Sequence, residues 1–142
     1  MQIHESKKEL HLKDRNSALI SQLFDLFRQG KREQAAALFS ENGVFCYPGS
    51  GPLHGNWNGR DGIISFWAEQ DSCSGGRFRP EMLDIVAGDH RVFLLVRIAQ
   101  NESFSWSRVV VYEILNGEIA SARVYEDDPI AAEAFFSAGA RK

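Results

Sequence analysis

At 142 residues, 44% hydrophobic and 25% charged, the chain has the make-up of one folded domain with no room for a second core. A formal net charge of −3 and the lack of a long basic run argue against a nucleic-acid surface. Two cysteines, Cys46 and Cys73, are too few for a disulfide scaffold and read as free thiols in a reducing, cytoplasmic compartment.

The chain opens on MQIHESKKELHLKDRN, charged throughout, which is neither a signal peptide nor a membrane span. Residues 1–15 read as a polar lead-in and 16–142 as the single domain. Leu19, Ile20, Leu23, Phe24, Leu26 and Phe27 then recur at helical spacing, an inward apolar stripe that Gly30 ends. A shorter helix follows on Ala35, Ala36, Leu38 and Phe39, and residues 40–43 turn the chain. Residues 44–47 form a short apolar strand leading into a glycine-rich loop over 48–59. The Gly49-x-Gly51 in that loop is not a dinucleotide fingerprint: Pro48 and Pro52 intervene, and no helix opens at the glycines.

A third helix begins near residues 58–61, with Asn58 as cap and Asp61 in the first turn; Ile63, Ile64, Phe66 and Trp67 form its apolar face. Residues 72–76 end it. Four strands follow, over 78–87, 91–100, 104–115 and 118–126. Asn116-Gly117 marks the last hairpin, since both residues tolerate positive φ. Asp127, Asp128 and Pro129 then lead into a short apolar helix, for which Asp128 is the expected cap. Helices followed by a run of strands imply an α+β domain, with helices on one face of a curved antiparallel sheet. Several strands are apolar on both faces, so a homodimer through the outer sheet face is expected.

Parity then selects the chemistry. On the last strand Ser121, Arg123, Tyr125 and Asp127 share a face, and on the one before it Phe104, Trp106, Arg108 and Tyr112 do. A hairpin about Asn116-Gly117, free of bulges, unites Trp106, Arg108, Tyr125 and Asp127 on one patch. A carboxylate beside an indole has its pKa raised by desolvation and lowered by a nearby arginine, which suits it to proton transfer. Asp127 is thus the candidate acid/base, with Tyr47, Tyr125 or Arg108 holding a developing oxyanion. Arg108 and Arg123 also have Glu113, Glu126 and Asp84 as alternative partners across the sheet. Phe24, Phe27, Trp57, Phe66, Trp67 and Trp106 are the candidate lining, although core packing accounts for most of them. His54 lies on the loop at the mouth, where exposure is the commoner role. No histidines stand at metal-ligand spacing, so no metal site is expected.

The order of elements, with YPGSGPLHGNWNGRDGIISFW, AGDHRVFLLVRI and GEIASARVYEDD, resembles the SnoaL-like branch of the nuclear transport factor 2-like superfamily, which holds polyketide cyclases and is related to ketosteroid isomerase. The resemblance covers residues 16–137. It implies a cone: a bent sheet wrapped around the first and third helices, with an apolar pocket open at one end. It also implies a catalytic aspartate ten residues after the hairpin glycine, which falls on Asp127. The oxyanion tyrosine of steroid isomerases has no counterpart on the first helix, and the Arg-x-Asp of epoxide hydrolases is missing. The expected function is a cofactor-independent enzyme that isomerises, cyclises or dehydrates a hydrophobic small molecule. The alternative is a non-catalytic binder of an apolar molecule on the same fold.

Overall fold

A computed structural model describes the backbone of residues 2–138 and the side chains of residues 11–137. Its elements run α1 (Gln2–Arg28), α2 (Arg32–Ala36), β1 (Phe39–Tyr47), β2 (Gly55–Asn58), α3 (Gly59–Cys73), β3 (Glu81–Ala87), β4 (Arg91–Ala99), β5 (Ser105–Leu115), β6 (Glu118–Glu126) and α4 (Pro129–Ala138). Among the described residues the strands form one six-stranded sheet in the order β2-β1-β6-β5-β4-β3. Every neighbour is antiparallel except β1 and β6, which run parallel, so the sheet is mixed rather than purely antiparallel. The architecture is the expected α+β cone. α3 packs on β1 and β2, and α1 packs on β3 and β4.

The inner faces of the long strands follow from period-two alternation. Val92, Leu94, Val96 and Ile98 of β4 are buried, as are Trp106, Val110, Tyr112 and Ile114 of β5. They meet Ile20, Leu23 and Phe24 of α1, and Ile63, Phe66 and Trp67 of α3, in one continuous core. The buried Asn16 pins α1 to the sheet: its amide donates to the carbonyls of Gly88 and Asp89, both at 3.0 Å. α1 stops where the glycine predicts. Gly30 has φ of 76°, its N–H reaches the Phe27 carbonyl, and the Lys31 N–H reaches that of Leu26, the paired bonds of a Schellman cap.

Several boundaries differ from the sequence reading. Helix runs back through the segment expected as a polar lead-in, because α1 starts at Gln2. Phe39 belongs to β1 rather than α2, and β1 is longer than expected, with an irregularity between Phe39 and Val44. The glycine-rich loop contains a strand: β2 pairs antiparallel with β1 and places Trp57 opposite Phe45. Asn58 precedes α3 but its side chain makes no capping bond. Pro80 delays β3 to Glu81, since proline cannot donate to a ladder.

The most consequential difference is a bulge. Next to the Asn116-Gly117 turn, Leu115 faces Glu118 and Ile114 faces Ile119. Beyond it Glu113 faces Ser121 and Arg108 faces Glu126, so Ala120 is an extra residue on β6. One added residue sends every later side chain of β6 to the opposite face. Ile119 is buried on one parity, and Ala122 and Val124 on the other.

Candidate functional site

The bulge decides which carboxylate enters the cone. Glu126, not Asp127, ends β6 on the inner face, and its side chain is 5% exposed. Its Oε1 accepts from Arg108 Nε at 2.9 Å and Trp106 Nε1 at 3.1 Å. Its Oε2 accepts from Arg108 Nη2 and the Tyr47 hydroxyl, each at 2.7 Å. Both oxygens are therefore filled. Burial pushes the Glu126 carboxyl up, but the Arg108 charge and the bonds from Arg108, Tyr47 and Trp106 outweigh it and hold the group below its ordinary value. Glu126 is a fixed anion, a poor acceptor for a proton.

Arg108 is the other half of the pair. The bulge leaves β5 undisturbed, so Arg108 and Trp106 face inward as parity requires. Arg108 Nη1 donates to Gln70 Oε1 of α3 at 2.7 Å. Its guanidinium carbon lies 5.1 Å from the Phe78 ring centroid, 5.5 Å from that of Phe136 and 5.7 Å from that of Tyr47. Burial alone would lower the affinity of Arg108 for its proton, but Glu126 reverses this, so the cation persists. A guanidinium has five N–H donors. Glu126 takes two and Gln70 one, which leaves one N–H on Nη1 and one on Nη2 without a protein acceptor among the described residues.

Arg108 and Gln70 form one end of a chamber of about 50 Å³ walled by α1, α3 and the inner sheet. Apart from them and Tyr112, its lining is apolar, including Leu23, Phe24, Leu94, Val96 and Val110. No carboxylate or histidine lines it among the described residues. Burial raises the Tyr112 phenol well above its ordinary value against the opposing pull of Arg108, so it is a neutral donor. Tyr47 is raised by burial and by the Glu126 charge, with Arg108 opposing, and is also neutral. Phe27, Trp67, Phe78 and Pro80 line both this chamber and a surface cleft of about 530 Å³ outside it.

The other expected residues fall as follows. Phe24, Phe27 and Trp67 line the chamber. Phe66 is core, stacked on Phe45 at 4.5 Å, and Trp57 is half-buried against it, with its indole N–H on the Leu53 carbonyl. Trp106 packs against Phe135 and binds Glu126 rather than standing beside an aspartate. His54 is exposed, with Nδ1 2.9 Å from the Gly49 carbonyl oxygen. Tyr125 is 51% exposed on the outer face beside Arg123. Asp127 is exposed as well and accepts from the Ser107 N–H at 3.0 Å; the bulge has turned it out of the cone. Asp128 caps α4 as expected, through the Ala131 N–H. Cys46 and Cys73 are free, and no cluster able to hold a metal occurs among the described residues.

Gln70 escaped the sequence reading, and Glu126 stood there only as an alternative partner of Arg108 across the sheet, which it is. Gln70 sits three residues beyond Trp67 on the apolar stripe of α3, a polar residue where packing asks for a hydrophobic one. The signal for Glu126 was the switch from Ile119 to Ala122 and Val124, apolar residues that cannot share a face without a bulge.

A family model described as a SnoaL-like domain matches residues 20–122. The chain belongs to the SnoaL-like family. Its matched region runs from mid-α1 to β6 and stops four residues short of Glu126. None of the curated proteins matches this SnoaL-like chain. Several solved structures do. Bal32a, from a soil-derived mobile gene cassette, is 23% identical at a TM-score of 0.79, over 88% of this chain and 98% of its own. A candidate SnoaL-like polyketide cyclase from a Jannaschia species is 16% identical at 0.72, over 89% and 94%. A candidate ketosteroid isomerase from Kribbella flavida is 17% identical at 0.68, over 82% and 80%. At these identities the likeness is one of fold, and a fold of this kind does not fix a reaction.

Proposed function

We propose that this SnoaL-like protein binds an apolar small molecule by its oxygen, with the oxygen held on the two free N–H groups of Arg108 and the hydrocarbon in the chamber. The observation that carries this reading is a buried guanidinium with two N–H groups unmet among the described residues, on a residue that lines an apolar space. Such donors are costly to leave unmet, and a carbonyl or carboxylate oxygen meets them. The chamber alone holds only the head of a ligand, because small-molecule sites commonly occupy about 300–1,000 Å³. The remainder extends past Phe27, which is half-buried on the last turn of α1, toward the outer cleft.

The test compares benzylacetone with butylbenzene, which share a phenyl body and differ in the ketone. Wild-type protein should bind the ketone about tenfold more tightly, the worth of one hydrogen bond to a charged group. The double variant Arg108→Met/Glu126→Gln, which leaves no unpaired charge, should lose that preference while still binding butylbenzene. Equal affinities in the wild type would overturn the reading.

An enzyme is the second reading. Arg108 and neutral Tyr112 are the kind of donors that stabilise a developing enolate, and two of the structural relatives are described as a candidate cyclase and a candidate isomerase. Against it stands the chamber lining, which offers no base. Deuterium exchange next to the ketone of benzylacetone, followed by proton NMR in heavy water, separates the two. The binding reading expects no acceleration over buffer. Acceleration over buffer would make the protein an enzyme. The same proposal includes a homodimer through the outer sheet face, where Val86, Phe93 and Val111 stand in one row and Leu95, Val109 and Tyr125 in the next.

A further inference from the structure

The cleft outside the chamber has a charge pattern that the chamber does not explain. Three guanidiniums line it, those of Arg28, Arg32 and Arg79, against the carboxylates of Asp71 and Glu81. Both carboxylates are engaged: Asp71 with Arg32 at 3.7 Å, and Glu81 in a close pair with Arg97. Arg28 and Arg79 have no carboxylate partner among the described residues. Arg28 lies over the Phe24 ring at 5.8 Å, and Arg79 Nη1 donates to the Phe78 carbonyl at 3.0 Å. Both are exposed residues of the cleft lining, beside its aromatic wall. Phe27 and Phe78, which form part of that wall, adjoin these two arginines in the chain.

We propose that the ligand is an amphipathic acid: its oxygen-bearing head enters the chamber, its hydrocarbon body parts the Phe27 and Phe78 rings, which meet edge to face at 6.1 Å, and its acid group rests between Arg28 and Arg79. This rests on the chamber reading above and adds the substrate class. A purely apolar ketone would leave both mouth arginines idle. A small inorganic anion would find no apolar surface and gain little from two exposed cations. A molecule with both features uses both spaces, which share Phe27, Trp67, Phe78 and Pro80 as lining. The cations at the rim also attract anionic ligands before they dock and raise the rate of association.

Two fluorescent dyes of one body test this. Anilinonaphthalene sulfonate carries an acid group; N-phenylnaphthylamine is the same skeleton without it. Wild-type protein should bind the sulfonate about tenfold more tightly than the neutral dye at low salt, and the gap should narrow as salt rises. The double variant Arg28→Gln/Arg79→Gln alters only exposed side chains. It should remove the sulfonate advantage and leave the neutral dye unchanged. Equal binding of the two dyes by the wild type overturns the acid subsite, as does a double variant that weakens both alike.

A chamber-filling variant, Val110→Phe, keeps the two readings apart. If it abolishes neutral-dye binding, the chamber is the binding site, and the arginine result then decides the acid subsite alone. If the neutral dye binds Val110→Phe as well as wild type, the chamber reading fails and the acid subsite falls with it. Should Val110→Phe not fold, Leu94→Phe on the neighbouring strand serves the same purpose, with circular dichroism as the check on both.

Discussion

Replacing Glu126 with glutamine would remove one charge and almost no volume, yet the structure assigns it a large cost. The carboxylate accepts four hydrogen bonds, two of them from Arg108. A glutamine carbonyl can keep two of them. Its NH₂ group must then face a donor, and only the Tyr47 hydroxyl can reverse to accept from it. At least one N–H of Trp106 or Arg108 is left opposed, and the Arg108 cation, 4% exposed, keeps its charge with no counter-ion. Breaking a buried pair from one side costs about 3–5 kcal/mol. That is a large share of the roughly 5–15 kcal/mol that holds a domain folded. Urea denaturation followed by tryptophan fluorescence measures it directly. With a slope of about 2 kcal/mol per molar, the midpoint should fall by about 2 M. Adding Arg108→Met should restore at least ~2 kcal/mol, because the orphaned cation is gone. A cost below about 1 kcal/mol for Glu126→Gln alone, or a double variant as unstable as the sum of the two single changes, would refute the picture of a mutually dependent buried pair.

Acid should erase that difference. Glu126 is held below its ordinary value in the folded protein, so its contribution is fully present above the unfolded carboxyl value of about 4.3 and is lost as pH falls through the folded one. The stability gap between wild type and Glu126→Gln should stay constant down to about pH 5 and shrink below about pH 4; a gap that widens in acid contradicts this. Asp127→Asn should leave benzylacetone affinity unchanged and cost less than about 1 kcal/mol in the same urea experiment, since the side chain is exposed and holds one backbone N–H. For the outer face, sedimentation should show a dimer, and Phe93→Glu, which puts a charge on a side chain now 43% exposed amid Val86 and Val111, should give a folded monomer. A wild-type monomer at high concentration removes the dimer from the account.

The fold was legible wherever periodicity is strict. The stripe from Leu19 to Phe27, the alternation of Val92 to Ile98 and the Asn116-Gly117 turn each specified an element, and Gly30 ended a helix where it was expected to. Local propensity could not reveal the parallel pairing of β1 with β6, because that contact joins segments about eighty residues apart. β2 was hidden in a stretch rich in glycine and asparagine, whose strand form depends on pairing with β1 rather than on its own preferences. The site was half legible. Arg108 and Trp106 lie on a strand without irregularities, and their facing was read correctly from parity. Tyr125 and Asp127 lie beyond a one-residue bulge, and the same parity argument placed them on the wrong side. The resemblance pointed to Asp127 by counting from Gly117, and such a count carries no account of which way the strand has turned. Gln70 shows the same lesson on a helix: a polar residue on an apolar stripe has a buried partner, which here sits on the opposing strand.

The most direct test of the central claim is the crystal structure of the protein with benzylacetone bound. The ketone oxygen should lie within about 2.7–3.2 Å of Nη1 or Nη2 of Arg108, with the phenyl ring toward Phe27 and the Glu126–Arg108 pair intact. A ligand on the outer sheet face, or one in the chamber with its oxygen turned away from Arg108, would contradict it.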